Sequence, residues 1–356
     1  MKKRRIIFCI VWGALAAFSL LSLGICRALS GSLADQRAAE RWKGENELEF
    51  AQLSCFMNAG DRLTLTDIYT FRGKLQNRLT EASFTAEEGG SLFTDAWCAF
   101  GTLDAAGEHG SGKANAVAVG GNFFHFHPMR LVSGSYLRED DVMDDRVLLD
   151  RELAWRLYGG DDLAGLTVTL GPEAKPFVIA GVVDHDDGFF SAKARQDGMT
   201  VYLSYSAWSA MAGEGGAQAD CYELVMPQPV EGFAEGIVKE LFPLGGGETL
   251  NNTARFSLKQ CWENVRQFGT RSMHLTSVIY PEWENAARGL EDWCSLLFAL
   301  AVLFAVFPSG SGFVLFLIGL VRLKDRLART LPGAVSGALD RSRQRRWERN
   351  HNNISG

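Results

Sequence analysis

No Cys-x-x-Cys pair and no cysteine–histidine spacing of the zinc type occurs in the 356 residues, so a structural zinc site is not expected. No serine, histidine and aspartate combine around a nucleophile elbow, and the paired carboxylates lack the spacing of a general acid–base pair. Neither a catalytic residue nor a cofactor is therefore expected. Basic charge is scarce where most of the mass lies. The chain carries −6; the first five residues contribute +4 and those from Arg322 onward +6, which leaves −16 on residues 6–321. Phosphate binding needs a basic face, so nucleic acid is excluded as a partner of this middle region.

Two long apolar runs are present. Residues 6–26 carry no charge and follow Lys2, Lys3, Arg4 and Arg5. Their length suffices to cross a hydrocarbon core of about 30 Å. A cleaved signal peptide is the rival reading, but its apolar core is usually about 7–15 residues before a small-x-small site. Here the run is longer and exits as Cys26-Arg27-Ala28-Leu29-Ser30, so a retained anchor is expected; Ile25 argues against a lipoprotein site at Cys26. The second run, residues 294–323, is interrupted by Pro308-Ser309-Gly310-Ser311-Gly312. It reads either as one kinked helix or as a hairpin of two half-spans. Basic flanks stay in the cytoplasm. Both termini are basic, which favours an odd number of crossings for the second run and hence one kinked helix. The expected organisation is a cytoplasmic stretch (1–5), a transmembrane helix (6–29), an extracytoplasmic domain (30–291), a second transmembrane helix (292–323, kinked at 308–312) and a basic cytoplasmic tail (324–356). The chain is expected in the plasma membrane. Its tail, around Arg341-Ser342-Arg343-Gln344-Arg345-Arg346-Trp347, is suited to anionic lipid headgroups.

Of seven cysteines, Cys9, Cys26 and Cys294 fall in or beside the apolar runs. Cys55, Cys98, Cys221 and Cys261 fall in the expected exterior, where disulfides persist. Sequence order suggests Cys55–Cys98 and Cys221–Cys261 among three possible pairings.

Between the runs, short strands and helices alternate without regular parallel βαβ units, so the class is α+β. Strands are expected over 48–56, 92–100, 114–119, 147–149, 199–203, 222–226 and 255–258, with a hairpin of arms 166–170 and 177–183. Ile68, Phe71, Leu75 and Leu79 are spaced as one helix face, with Thr66 as its cap. Asp150 caps a helix bearing Leu153, Ala154, Leu157 and Tyr158 that stops at Gly159-Gly160.

One ordered set of motifs stands out. Gly120-Gly121-Asn122-Phe123-Phe124 leads to Ser133-Gly134-Ser135, then Glu139-Asp140-Asp141, Val147-Leu148-Leu149-Asp150, Leu157-Tyr158-Gly159, Asp162-Leu163-Ala164-Gly165 and Ile179-Ala180-Gly181-Val182-Val183. This succession resembles the MacB-type periplasmic core domain of MacB/FtsX-like ABC transporter permeases, well over 119–183 and loosely over 45–260. The resemblance implies an α+β core after a first transmembrane helix, an ABC ATPase and other permease subunits as partners, and no catalytic residue in the domain. Such permeases have four spans and this chain offers two, which points to a subunit or accessory role. A stand-alone, membrane-anchored binding module is the alternative.

Three other features invite chemistry. Gly107-x-x-x-x-Gly112-Lys113 opens like a phosphate-binding loop, but Ala114 stands where Ser or Thr would follow and a strand, not a helix, comes next; a flexible loop is expected. His125 and His127 are close in sequence, but Pro128 suggests a surface loop. Asp184-His185-Asp186-Asp187 is the best oxygen-rich candidate for a divalent cation, and a solvated acidic turn is the simpler reading. Phe123, Phe124, Phe126, Phe189 and Phe190 are expected to pack in the core, with an exposed aromatic patch for a partner or the membrane interface as the alternative, and Trp283 and Trp293 to sit at the membrane interface.

Overall fold

The computed structural model describes residues 2–45, 47–85, 90–139, 141, 144–213, 216–243, 245–267 and 280–352; Asp140 of the acidic motif and the side chains of Arg346 and Trp347 in the tail lie outside the described residues. The chain forms two compact units, Ile25–Phe298 and the pair Met1–Gly24 with Ala299–Gly356.

The smaller unit joins parts of two long helices, α1 (Lys2–Ser30) and the last helix, α10 (Glu282–Asn352). Ile6–Ser30 and Glu282–Arg326 are each long and apolar enough to cross a membrane. The last helix runs unbroken through Pro308-Ser309-Gly310-Ser311-Gly312, so the interruption opens no hairpin. Proline removes a backbone donor. Around it, Ser311 Oγ donates to the Phe307 carbonyl at 2.7 Å and Trp12 Nε1 donates to the Pro308 carbonyl at 3.1 Å. Ser19 Oγ donates to the Ala301 carbonyl at 2.9 Å, and the Phe8 and Phe307 rings meet at 5.8 Å. From Trp12–Pro308 to Ser19–Ala301 the partner number falls on one helix as it rises on the other, so the two segments run antiparallel.

In the larger unit, ten strands among the described residues form one mixed sheet: β1 (Phe50–Phe56), β2 (Thr94–Ala106), β3 (Ser111–Gly121), β4 (Arg130–Gly134), β5 (Arg146–Asp150), β6 (Thr167–Leu170), β7 (Lys175–Asp184), β8 (Thr200–Ser204), β9 (Cys221–Pro227) and β10 (Glu248–Asn251). Their order is β10-β1-β9-β2-β3-β8-β5-β7-β4, with β6 against β2 and β7; β3–β8 and β5–β7 are parallel and the other pairs antiparallel. Side chains alternate between faces with period two. Leu53, Trp97, Leu149 and Leu224 fill one face beneath α3 (Leu65–Glu81), α5 (Arg151–Tyr158), α7 (Tyr205–Ala212) and α8 (Phe233–Leu241). Phe56, Cys98, Leu148 and Val225 fill the other, with α2 (Ala38–Lys43), α4 (Phe123–Phe126) and the start of α10. Coverage on both faces is why all seven residues of β1 are buried. The larger unit is thus α+β, as expected from the sequence.

Helix α3 buries Ile68, Phe71, Leu75 and Leu79, but its cap is Thr64, which forms a capping box with Asp67, rather than Thr66. Asp150 caps α5 and Gly159 ends it in the left-handed region. Residues 255–258 are not a strand. Arg255 turns into the interior, and Ser257 accepts from the Gln260 amide to cap α9 (Leu258–Arg266).

The expected disulfides are not formed, and all seven cysteines are free. Strand β9 separates β1 from β2, and Cys55 and Cys98 lie on opposite faces of the sheet. Cys221 instead stands in register with Cys98. Cys261 is buried with Cys26 and Cys294 where α1, α9 and α10 pack.

Candidate functional site

The polar residues of β1 point away from the aliphatic face. Gln52 and Ser54 lie on the same side as Glu223 of β9, and the chain leaving α1 crosses over them. The Gln52 side chain accepts from the Ala38 amide at 2.8 Å and donates to the Asp35 carbonyl at 2.6 Å, so one buried amide side chain holds the exit of the first apolar helix to the sheet. Ser54 Oγ donates to Glu223 at 2.6 Å and accepts from Asn252 Nδ2 at 2.7 Å.

Glu223 also meets His127, the residue after the short helix α4. His127 Nδ1 lies 3.0 Å from Asp35, and its ring packs at a tilt against Trp283, with centroids 4.1 Å apart. Burial works against the charged imidazole, but the Glu223 and Asp35 carboxylates outweigh it and push His127 up to about 10. It is therefore an imidazolium that donates from both nitrogens. Trp283, expected at a membrane interface, is buried here instead, because the first turn of α10 packs on the sheet.

Beside this triad lies a second one. Arg255 donates twice to Glu284 of α10, at 2.7 Å each, and its Nε is 3.0 Å from Glu291. All three side chains are almost fully buried. Burial opposes the Arg255 charge, and the two carboxylates more than restore it. Gln36 and Asn264 add hydrogen bonds to Arg255 and Glu291. Arg288 bridges Glu284 at 2.7 Å and Glu248 of β10 at 3.0 Å. The two triads thus tie the segment after α1 and the first turns of α10 to one end of the sheet. Polar networks of this kind have directional partners, so they resist sliding in a way that an apolar contact does not.

The sequence candidates fall in other places. His125 hydrogen-bonds the Ala38 carbonyl and packs on Trp42, apart from the partners of His127. Asp184 pairs with Arg130 and Arg151; its burial raises its carboxyl but these cations bring it below the usual range. His185 lies 3.5 Å from Asp150 and 3.8 Å from Glu282, and the Asp150 contact raises it. Asp186 caps the turn into α6 (Phe189–Ala194) through Gly188 and Ser191, and Asp187 is 3.5 Å from Arg195. Among the described residues no three His, Cys, Asp or Glu side chains converge as a metal site. The Gly-rich loop is the β2–β3 hairpin tip. Side chains at Gly107 and Gly110 would strike Tyr158, Leu157 and the Arg156 carbonyl, so α5 explains the glycines.

The motif Gly120-Gly121-Asn122-Phe123-Phe124 borders a cavity of about 130 Å³. Trp97 lies over Gly120, and the Arg72 guanidinium covers the indole at 4.7 Å while pairing with Asp95 at 2.6 Å and Glu139 at 2.9 Å. Tyr69 and Phe124 complete an aromatic wall beside Arg138, Glu139, Asp141, Asp144 and Arg146. Phe123 and Phe126 are core residues, Phe124 stacks on Tyr136, and Phe189 is exposed. Sequence reasoning missed Asp35, Glu223, Arg255, Glu284 and Glu291; only Glu223 carried a signal, a lone charge inside the apolar strand Cys221–Pro227.

These features define a class: a two-faced α+β domain set between two helices apolar enough to cross a membrane. A family profile described as the MacB-like periplasmic core domain matches residues 56–225. Residues 56–225 thus resemble the MacB-like periplasmic core domain, the domain carried by MacB-like ABC transporter permeases. Solved structures that it resembles include the periplasmic region of MacB from Actinobacillus actinomycetemcomitans, at 20% identity and TM-score 0.42 over 60% of this chain and 92% of that one. Another is the extracellular domain of the noncanonic ABC-type transporter YknZ from Gram-positive bacteria, at 11% identity and TM-score 0.38 over 57% of this chain and 99% of that one. No curated protein matches the chain.

Proposed function

We propose that this chain is a permease-like membrane subunit or accessory protein of an ABC-type export or mechanotransmission system. Its core domain is extracytoplasmic, engages substrate or a partner protein, and does no covalent chemistry. An ATPase on a separate chain supplies the work. The observation that carries this reading is the pair of buried ionic triads. His127–Asp35–Glu223 and Arg255–Glu284–Glu291 join both membrane-flanking segments to the sheet, so a displacement of α10 is passed to the domain rather than absorbed at its base. The acidic middle and basic ends support the orientation. Affinity isolation of the full-length protein from gently solubilised membranes, followed by mass spectrometry, tests the assignment. Recovery of an ABC ATPase or a four-span permease is the expected result. Repeated recovery of the chain alone in several detergents would favour the stand-alone binding module.

A further inference from the structure

Helix α9 has three distinct faces. At about 100° per residue, Cys261 and Asn264 fall together and are buried, Cys261 against Cys26 and Cys294. Leu258, Trp262 and Val265 fall on the adjoining face, which points outward: Leu258 is 63% and Trp262 48% exposed. Lys259 and Arg266 follow next around the helix. This outward face is apolar and bordered by basic residues. It fits the boundary between acyl chains and headgroups, where amphipathic helices lie with their apolar side about 5–10 Å deep.

The position of α9 agrees. The Trp262 ring meets the Phe298 ring edge-on at 6.4 Å. Phe298 lies four residues beyond Cys294, where the apolar run of α10 begins, which is about 6 Å along a helix. Trp293 and Leu296 are exposed on the same turns of α10, as expected at a membrane boundary. Among the described residues, Lys259 and Arg266 pair with Glu231 and Glu263 in exposed ion pairs, which are weak and leave the cations available to anionic headgroups.

We propose that α9 is an interfacial lipid-binding helix, its Leu258–Trp262–Val265 face seated among the upper acyl chains and its basic edge among phosphate headgroups. It forms a third membrane contact beside the two apolar helices and limits how the domain can tilt. The inference rests on those helices crossing the bilayer and needs no ABC partner.

The full-length protein is placed in nanodiscs of phosphatidylcholine and phosphatidylglycerol, with part of the phosphatidylcholine brominated high on its acyl chain. Wild type is compared with Trp262→Phe, a change at an exposed ring that leaves the core intact. The fluorescence component lost in Trp262→Phe should be quenched by the bromolipid and not by aqueous iodide. Leu258→Ser should lower that bromolipid quenching at least twofold. If iodide quenches the component and bromolipid does not, the helix faces water and the proposal fails. If neither does, a second copy of the chain covers the face, and the proposal fails as well. Failure of both variants and wild type to incorporate into nanodiscs would overturn the membrane reading itself, a result separate from either quenching outcome.

Discussion

Gly120 shows how much one missing methyl group can matter. A Cβ there would lie 2.2 Å from the Trp97 ring. Gly120→Ala should therefore expel the indole and lower stability by about 1–3 kcal/mol, the usual cost of overpacking. Gly160 has open space and an ordinary φ, so Gly160→Ala should change stability by less than about 0.5 kcal/mol. Thermal unfolding of the two variants in the same detergent checks the contrast. The motif was legible in the sequence as a marker, but its reason was not, because Trp97 reaches Gly120 only across the β2–β3 ladder. His127 is a harder case. Pro128 suggested a surface loop, whereas the ring is buried between two carboxylates. Its folded pKa lies near 10, above an unfolded value near 6.5. The stabilisation is then complete below about pH 6.5 and is lost as pH rises through about 10. Denaturant midpoints of the wild type should fall more steeply between pH 7 and 10 than those of His127→Gln; parallel curves would refute the charged assignment.

At the scale of elements, amphipathic periodicity located α3 and α5, because their buried faces repeat every three to four residues. The misread segment 255–258 alternates like a strand, yet Arg255 is drawn inward by Glu284 and Glu291 and Ser257 starts a helix. Removing one member of such a buried set is costly, since the partners keep their charge without an opposing one. Arg255→Met should destabilise the domain by about 3–5 kcal/mol. Replacing all three together (Arg255→Met, Glu284→Leu and Glu291→Leu) should recover most of that loss, because well-packed apolar groups often substitute for a buried ion pair. Equilibrium denaturation compares the two variants. If the triple variant is stable but no longer assembles or responds with an ATPase, the network serves coupling rather than stability.

For the whole molecule, the free-thiol pattern makes a direct prediction. Alkylation of the denatured, unreduced protein should add seven labels by intact mass; a loss of two or four would restore a disulfide framework. The sequence by itself determined the two apolar helices, the sign of charge at their ends, the α+β class and the resemblance over 119–183. These depend on length, net charge and short-range periodicity, which one stretch of chain carries alone. Only the tertiary structure decided the sheet order, which cysteines face one another, and the partners of His127 and Arg255. Those contacts join residues far apart in sequence: 96 positions for His127 and Glu223, 169 for Ser54 and Glu223, 198 for Asn252 and Ser54. No local pattern encodes such a pairing, because it exists only once the strands have taken their places and the two helices have closed the chain upon itself.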